Sequence, residues 1–221
     1  MIKTVLFDLD GTLLNTIDDL ADAGNWVCAQ NGWPTFTVAQ FKLMVGNGIP
    51  KLVERFSPAD ARTPAQLAAT LAQFTARYDA HKEDKTAPYP GIIELLKKLR
   101  ALGVKIAVVS NKFEPAVVGL CEDYFVGLVD AAVGQTEDRQ KKPAPDGVLY
   151  AMKLLGADPA RTVYSGDSDV DVLTARNSNL PCIGVSWGFR DRKVLEDGGA
   201  DYIADRAEDI LDIIAGNEND I

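Results

Sequence analysis

Patterns of buried β-strands alternate with patterns of amphipathic helices along most of this chain, and one all-helical stretch interrupts them directly after the first strand. Strands that alternate with helices predict a parallel sheet joined by right-handed crossovers. The sequence therefore predicts an α/β fold, in which a Rossmann-like parallel sheet core (residues 1–14 and 87–221) carries an inserted all-helical cap domain (residues 15–86). The run Ala87-Pro88-Tyr89-Pro90-Gly91 is rich in breakers and favours a hinge between the two.

Apolar runs and helical periodicity predict the elements of the core. The predicted strands are Thr4–Phe7, Lys105–Val109, Leu128–Val133, Thr162–Ser165, Cys182–Ser186 and Tyr202–Ile203. The predicted helices are Ile92–Leu102, Pro115–Tyr124, Asp146–Leu155, Asp169–Asn177 and Arg206–Ala215. Three aromatic residues of the insert are predicted to pack into its own core, with an interface as the alternative: Trp26, Trp33 and Phe36.

Composition and charge argue against several classes of function. The 32 acidic residues outnumber the 23 lysines and arginines and give a net charge of −9, which is unfavourable for binding nucleic acid or an anionic membrane surface. One histidine and three cysteines without a C-x-x-C pair offer no zinc site. The sequence shows neither an apolar run of membrane-spanning length nor a leader peptide, so a cytoplasmic address is the default expectation.

Polar residues end three of the predicted strands, namely Asp8, Ser110 and Asp167, and Lys142 lies in the loop after a fourth. Ligands of parallel α/β sheets bind outside the carboxyl ends of the strands. These four side chains are therefore expected to converge at one edge of the sheet. The sequence predicts a site there with two carboxylates, a hydroxyl and an ammonium.

The first of these positions opens the motif Asp8-Leu9-Asp10-Gly11-Thr12. Two carboxylates this close are costly unless a cation or a proton offsets their repulsion. A hard divalent cation with oxygen ligands does so, and Mg²⁺ is the usual choice beside phosphate. The alternative is a strand followed by an Asp-Gly turn with solvated acids. A chance occurrence of the whole motif is rare, which favours the metal-binding interpretation.

The remaining positions are weaker when each is taken alone. Ser110 can donate to a phosphoryl oxygen, although a serine at a strand end more often starts a turn. Lys142 is a point charge suited to phosphate, although a solvated loop lysine is commoner. Asp167 is expected to face the site, with Asp171 supporting it from behind and Asp169 on the surface. The order of the motifs and their place at strand ends make the set much more specific than any member.

In this order the four motifs resemble those of the haloacid dehalogenase superfamily of aspartate-nucleophile phosphatases, and the resemblance covers essentially the whole chain. Further segments are similar to the phosphoglycolate phosphatase branch: Tyr89-Pro90-Gly91, Val109-Ser110-Asn111-Lys112, Val185-Ser186-Trp187-Gly188 and, in the insert, Gly46-Asn47-Gly48. The chain departs from that branch at Asn15-Thr16, where Asp-Ser is frequent, and at Asn177-Ser178-Asn179, where Ala-Gly is frequent.

The resemblance implies a Mg²⁺-dependent phosphoric monoester hydrolase that acts on a small phosphorylated metabolite, with phosphoglycolate as the leading substrate. Asp8 would attack phosphorus and form an aspartyl-phosphate. Asp10 would protonate the leaving alkoxide and then take a proton from the hydrolytic water. The helical cap would close over the substrate and select the leaving group.

The resemblance also implies how the ligands are held. The phosphoryl group would contact Thr12, Ser110, Asn111 and Lys142. The Mg²⁺ ion would bind to Asp8, to the backbone carbonyl of Asp10 and to Asp167, with Asp171 behind them. The cap loop that faces the substrate would be Gly46, Asn47 and Gly48.

Other activities on the same fold stay open at this point: hydrolysis of a sugar phosphate, a pyrophosphate or a phosphonate, and a mutase reaction. A mutase usually has an apolar residue in place of Thr12, and a dehalogenase lacks the equivalent of Asp10. A phosphonatase needs a cap lysine for a Schiff base, for which Lys42 and Lys51 are available. A non-catalytic binding protein is disfavoured because the chain keeps every motif residue. The oligomeric state is not readable from the sequence.

Overall fold

The computed structural model describes residues 1–216, and the end of the predicted core, residues 217–221, lies outside the described residues. The chain divides into two compact units. One consists of Met1–Leu14 together with the chain from Pro88 onward, and the other is Asn15–Ala87. Among the described helices, none has the combination of length and apolar character that crossing a bilayer requires.

The first unit contains a six-stranded parallel sheet, which confirms the predicted α/β class. The described part of the chain contains eight strands, which in chain order are β1 (Thr4–Phe7), β2 (Leu14–Asn15), β3 (Ala87–Pro88), β4 (Lys105–Phe113), β5 (Ala131–Gln135), β6 (Thr162–Gly166), β7 (Cys182–Val185) and β8 (Tyr202–Ala204). The order across the large sheet is β5-β4-β1-β6-β7-β8, and β2 pairs with β3 in a separate ribbon. β1 is therefore central, between β4 and β6.

Residues 1–216 form ten α-helices, namely α1 (Ile17–Gln30), α2 (Val38–Met44), α3 (Ile49–Phe56), α4 (Pro64–His81), α5 (Ile92–Ala101), α6 (Glu114–Tyr124), α7 (Asp146–Leu155), α8 (Asp169–Asn177), α9 (Arg192–Gly198) and α10 (Ala207–Gly216). Short 3₁₀ turns occur at Ala59–Ala61 and Pro159–Arg161. α1 to α4 belong to the second unit and the other helices to the first.

Both faces of the large sheet are buried, as expected for parallel strands that connect through helices. Side chains alternate along a strand, so Val5 and Phe7 of β1 belong to one apolar cluster and Leu6 to another. The first cluster includes side chains of α5, α6 and α10, and the second includes side chains of α7 and α8. This packing fixes the carboxyl end of β1, where Asp8 follows.

Three elements differ from the sequence-based predictions. β4 continues past Val109 to Phe113, with a register shift against β5 in this stretch. β5 is Ala131–Gln135 rather than Leu128–Val133, because Leu128 and Val129 pack against the core from the preceding turn. α9 has no counterpart among the predicted helices, since it is short and mostly polar and Leu195 is its buried residue.

The second unit has an aromatic core that the sequence analysis did not identify. Phe41, Phe56, Phe74 and Tyr78 are buried and contact one another in succession, with ring centroids 6.3, 5.9 and 5.8 Å apart. Such tilted and stacked contacts suit aromatic rings. The second unit thus has an apolar core of its own.

The three aromatic residues that were predicted to form this core lie at its margin. Trp26 is 38% exposed, so the prediction of a core position is wrong for it. The guanidinium of Arg77 lies over its ring, 5.6 Å from the centroid, and provides a cation–π contact instead. Trp33 and Phe36 are partly buried.

Candidate active site

Asp8 directly follows β1, and its carboxylate forms an ion pair with Lys142 from the loop between β5 and α7. Oδ1 of Asp8 lies 2.8 Å from Nζ of Lys142. The same Nζ lies 2.8 Å from Oδ1 of Asp171 and donates to the hydroxyl of Tyr164 at 3.0 Å. Lys142 therefore links the end of β1 with β6 and α8 through contacts with charged and polar side chains.

Asp171 is held by contacts to both of its carboxylate oxygens. Its Oδ1 accepts from the Tyr164 hydroxyl at 3.0 Å, besides the contact with Lys142. Its Oδ2 accepts from Ser168, at 3.1 Å from the backbone N–H and 2.5 Å from Oγ. The contacts with Ser168 form the capping box at the start of α8, which explains why an aspartate occupies the third position of this helix. Its side chain is completely buried.

Asp167 follows β6, and its carboxylate accepts two hydrogen bonds from other parts of the chain. The Oγ1 of Thr12 donates to Oδ1 at 3.1 Å, and the backbone N–H of Phe189 donates to Oδ2 at 2.7 Å. Gly11 and Gly188 both approach this carboxylate so closely that a Cβ at either position would overlap it. Gly11 also has a φ of +92°, so a glycine is required there for two reasons.

Asp10 forms an ion pair with Lys112, a residue that the sequence analysis quoted in a motif but did not include in the site. Nζ of Lys112 lies 2.8 Å from Oδ1 of Asp10, and the Lys112 side chain is 5% exposed. The extension of β4 carries Lys112 beside Ser110, and the backbone N–H of Lys112 donates to Ser110 Oγ at 3.2 Å. The alternation of side chains from Ser110 onward is the pattern that could have identified Lys112.

Asn111, which was predicted to bind phosphate, contacts the backbone of Lys142. Its Nδ2 donates to the Lys142 carbonyl at 3.1 Å, and its Oδ1 accepts from the Lys142 N–H at 2.7 Å. These two bonds join β4 to the loop that carries the ammonium. Thr12, also predicted to bind phosphate, is fully buried, and its hydroxyl donates to Asp167. Phosphate contacts by Asn111 and Thr12 stay predictions.

The pKa values of Asp8 and Asp167 lie well above those of aspartates in water. Burial raises the pKa of Asp8 well above its usual range, and the charges of Asp171 and Asp167 add to this against the opposing effect of Lys142. Burial and the charge of Asp171 raise the pKa of Asp167 to about 7. Burial lowers the pKa of Lys142, but the charges of Asp171 and Asp8 outweigh this and raise it overall. Both carboxyl shifts mean that the charged forms of Asp8 and Asp167 are disfavoured where no further cation is present.

The residues of the cluster fit a divalent cation. Asp8, Asp167 and Asp171 each offer a carboxylate oxygen within 4.8 Å of the other two. Hard cations such as Mg²⁺ prefer oxygen ligands of this kind. Three buried carboxylates lie near the Lys142 ammonium, and a further positive charge would offset the burial and repulsion that raise the pKa values of Asp8 and Asp167. The carboxylate of Asp10 contacts Lys112 instead, and coordination through the Asp10 backbone carbonyl stays a prediction.

Two other groups of predicted residues are placed as follows. Gly46, Asn47 and Gly48 lie in the loop before α3, where Asn47 Oδ1 accepts from Arg55 at 2.7 Å. Their contact with substrate stays a prediction. Asp169 is exposed on α8 and pairs with Arg190 at 3.6 Å, in agreement with the expected surface position.

Comparison with known proteins gives consistent results. The model of a family described as haloacid dehalogenase-like hydrolase matches residues 5–185. The phosphoglycolate phosphatase of Caulobacter vibrioides is 37% identical over 203 residues, which cover 90% of this chain and 85% of the relative. The phosphoglycolate phosphatase of Chromobacterium violaceum is 34% identical over 219 residues, 96% of each chain.

Solved structures agree with these sequence relatives. A crystal structure from Lactobacillus delbrueckii subsp. bulgaricus has a TM-score of 0.91 and 38% identity, and the match covers 97% of this chain and 99% of that one. The structure of CbbY from Rhodobacter sphaeroides in complex with phosphate has a TM-score of 0.78 and 28% identity, with 95% and 96% of the two chains covered. The fold and the sequence are thus similar over nearly the full length of this chain.

Proposed function

The chain belongs to the haloacid dehalogenase-like hydrolases and is a phosphatase of that family, and on this premise we propose that it hydrolyses phosphoglycolate through an aspartyl-phosphate on Asp8. The observation that carries the proposal is the position of the Asp8 carboxylate. It follows the central strand of the sheet, 2.8 Å from the Lys142 ammonium and beside the carboxylate of Asp167.

The proposed reaction has two displacements at phosphorus. In the first, a carboxylate oxygen of Asp8 forms a bond to phosphorus, and the bond from phosphorus to the ester oxygen breaks. The electron pair leaves with the ester oxygen, which takes a proton from Asp10. In the second, Asp10 takes a proton from water, the water oxygen bonds to phosphorus, and the bond to Asp8 breaks to restore its carboxylate. The products are glycolate and inorganic phosphate.

Two residues supply positive or donor groups to the transferring phosphoryl oxygens in this proposal. Lys142 contributes an ammonium that Asp171 and Tyr164 hold in place, and Ser110 contributes a hydroxyl from β4. Fixed donors directed at the charge that develops in a transition state are among the largest contributions to catalysis. The two hydrogen bonds of Asn111 support this by fixing the backbone of Lys142.

We further propose that Mg²⁺ is the cofactor, held by Asp8, by Asp167 and by the backbone carbonyl of Asp10. When bound, Mg²⁺ supplies a charge that stabilises the transferring phosphoryl group. Asp167 is suited to this task because Thr12 and Phe189 N–H fix the direction of its carboxylate. Asp171 uses both of its oxygens to hold Lys142, Tyr164 and Ser168, which supports a role behind the ligands.

The assignment of phosphoglycolate as the substrate is supported by the relatives that bear this activity in their names at 37% and 34% identity. In the proposal, residues 15–86 form the cap that selects the leaving group, with Gly46, Asn47 and Gly48 in its substrate loop. Cys28, Cys121 and Cys182 are buried free thiols, which supports the proposal of a reducing, cytoplasmic setting.

The test is a comparison of phosphate release from phosphoglycolate with release from glucose 6-phosphate, pyrophosphate and 4-nitrophenyl phosphate. Phosphoglycolate is expected to have the highest kcat/KM by about tenfold or more, and EDTA is expected to abolish release. D8N is expected to abolish release. D169N is its control and should retain release, because Asp169 is an exposed aspartate near the site. A higher kcat/KM for any other compound would remove phosphoglycolate as the substrate.

A further inference from the structure

Lys112 is a buried cation for which the proposed reaction has no use. Its side chain is 5% exposed, and its ammonium lies 2.8 Å from Oδ1 of Asp10. Lysine is seldom buried to this degree without an anion to pair with. The other buried lysine of the site, Lys142, contacts Asp8 and Asp171 instead. The two ammonium groups thus contact different carboxylates.

The course of β4 determines where the Lys112 ammonium lies. Ser110 and Lys112 are two residues apart on one strand and are both buried, and the Lys112 N–H donates to Ser110 Oγ at 3.2 Å. The backbone N–H of Lys112 thus contacts the hydroxyl proposed to bind the phosphoryl group, and its side-chain ammonium contacts Asp10, the carboxylate proposed to serve the leaving oxygen.

The proposed substrate carries a carboxylate that the Lys112 ammonium can bind. In phosphoglycolate the carboxylate is attached to the carbon that bears the ester oxygen, so it lies close to whatever group exchanges a proton with that oxygen. Asp10 is that group in the proposed reaction. The ion pair with Asp10 shows that the Lys112 ammonium can hold a carboxylate oxygen at 2.8 Å in this part of the site. A charge-assisted hydrogen bond of this kind gives both affinity and selectivity.

We propose that Lys112 is a specificity-determining residue that binds the carboxylate of the substrate. The inference rests on the proposed function, because it takes the substrate to be a phosphate ester of a 2-hydroxycarboxylate. The substrate carboxylate takes over part of the contact that Lys112 makes with Asp10. Esters that lack this carboxylate do not make this contact with the ammonium and bind more weakly.

The test compares phosphoglycolate with ethyl phosphate, a two-carbon ester without the carboxylate. Removing the ammonium in K112M is expected to lower the ratio of kcat/KM for phosphoglycolate to that for ethyl phosphate by about 10- to 100-fold, the range for a hydrogen bond to a charged group. K112R keeps a cation and is expected to retain part of the ratio. Lys105, an exposed lysine on the same strand, provides the control K105M, which should keep the wild-type ratio.

A different result is expected if Lys112 affects the reaction only through its ion pair with Asp10. In that case K112M lowers kcat/KM for both esters by the same factor and leaves the ratio as in the wild type, which overturns the inference. A second measurement uses glycolate, the carboxylate product, as a competitive inhibitor. K112M is expected to raise its inhibition constant, and an unchanged constant also overturns the inference. Circular dichroism of each variant confirms that it is folded.

Failure of the proposed function is recognisable separately. If the wild type has equal kcat/KM values for ethyl phosphate and phosphoglycolate, the substrate assignment fails and the inference fails with it. If the wild type strongly prefers phosphoglycolate and K112M keeps that preference, the substrate assignment stands and the role of Lys112 alone is refuted.

Discussion

The ammonium of Lys142 lies 2.8 Å from Oδ1 of Asp171, a carboxylate whose side chain is completely buried. This pair joins the loop before α7 to the first turn of α8, and it brings positive charge to a cluster that otherwise holds the carboxylates of Asp8, Asp167 and Asp171. We expect the balance of charge in this cluster to govern both the stability of the fold and the phosphatase activity.

Replacing Lys142 by methionine is expected to destabilise the metal-free protein by about 3 kcal/mol, because it leaves buried carboxylates without their cation. Denaturant unfolding in EDTA measures this free energy. Lys141, the exposed neighbour, gives the control K141M, which is expected to change stability by less than about 0.5 kcal/mol. Equal stability of the two variants would contradict the importance of the ion pairs. K142M should also lose phosphatase activity.

Replacing Asp8 by asparagine is expected to abolish phosphate release while keeping or raising the stability of the metal-free protein. Burial is the largest cause of the raised pKa of Asp8, so the charged form is disfavoured in the folded state, and a neutral amide of the same shape avoids this cost. A gain of about 1 kcal/mol is in the usual range for such sites. Residual turnover above about a thousandth of the wild-type rate would argue against Asp8 as the nucleophile.

Binding of Mg²⁺ is expected to raise the thermal midpoint, with a gain of about 2.7 kcal/mol when its concentration is 100 times the dissociation constant. The gain should be larger at pH 8 than at pH 5. The pKa of Asp167 is raised to about 7, so at pH 5 a proton occupies this carboxylate and competes with the metal. Thermal scans at both pH values measure the difference. D167N should remove most of the gain and D169N should keep it.

The same raised pKa has an effect without metal. A carboxyl group whose pKa is higher in the folded state than in the unfolded chain contributes less stability as pH rises between the two values. For Asp167 this window extends from about 4 to about 7. Unfolding in EDTA is therefore expected to show a loss of stability from this group across the window, and D167N should flatten the slope. If the free energy of unfolding of D167N depends on pH as steeply as that of the wild type, Asp167 is not the group with the raised pKa.

Replacing Asn111 by alanine is expected to lower kcat by about tenfold and stability by about 1–2 kcal/mol, because two hydrogen bonds to the Lys142 backbone are lost. Asn177 is the matched control, since its Nδ2 donates to the neighbouring Pro143 carbonyl at 2.8 Å from an exposed position. N177A should have nearly wild-type kcat. Similar losses in both variants would show that the loop, rather than the placement of Lys142, is what matters.

The sequence was most informative where local patterns coincide with burial. The strand and the polar residues at Thr4–Asp8 could be read directly, and so could the helices Asp146–Leu155 and Asp169–Asn177. The strand β5 was displaced in the prediction because the apolar residues before it pack from a turn, and periodicity does not separate these cases in a short run.

The contacts of the site were less accessible to sequence reasoning, since they join residues far apart in the chain. Thr12 donates to Asp167 across 155 positions, and Lys112 pairs with Asp10 across 102. No local pattern encodes such a pairing. Lys112 was also missed because the prediction ended its strand at Val109, although the polar residues that follow continue the alternation of burial.

The central place of β1 has a consequence for the order in which the protein assembles on the ribosome. Thr4 to Phe7 pair with residues 105–108 on one side and 162–165 on the other, so the strand that leads to Asp8 is synthesised well before both of its neighbours. The second unit, Asn15–Ala87, is complete in the nascent chain before either neighbour has been made. We expect co-translational folding to begin with this unit. β1 can pair with β4 and β6 only after those strands have been synthesised.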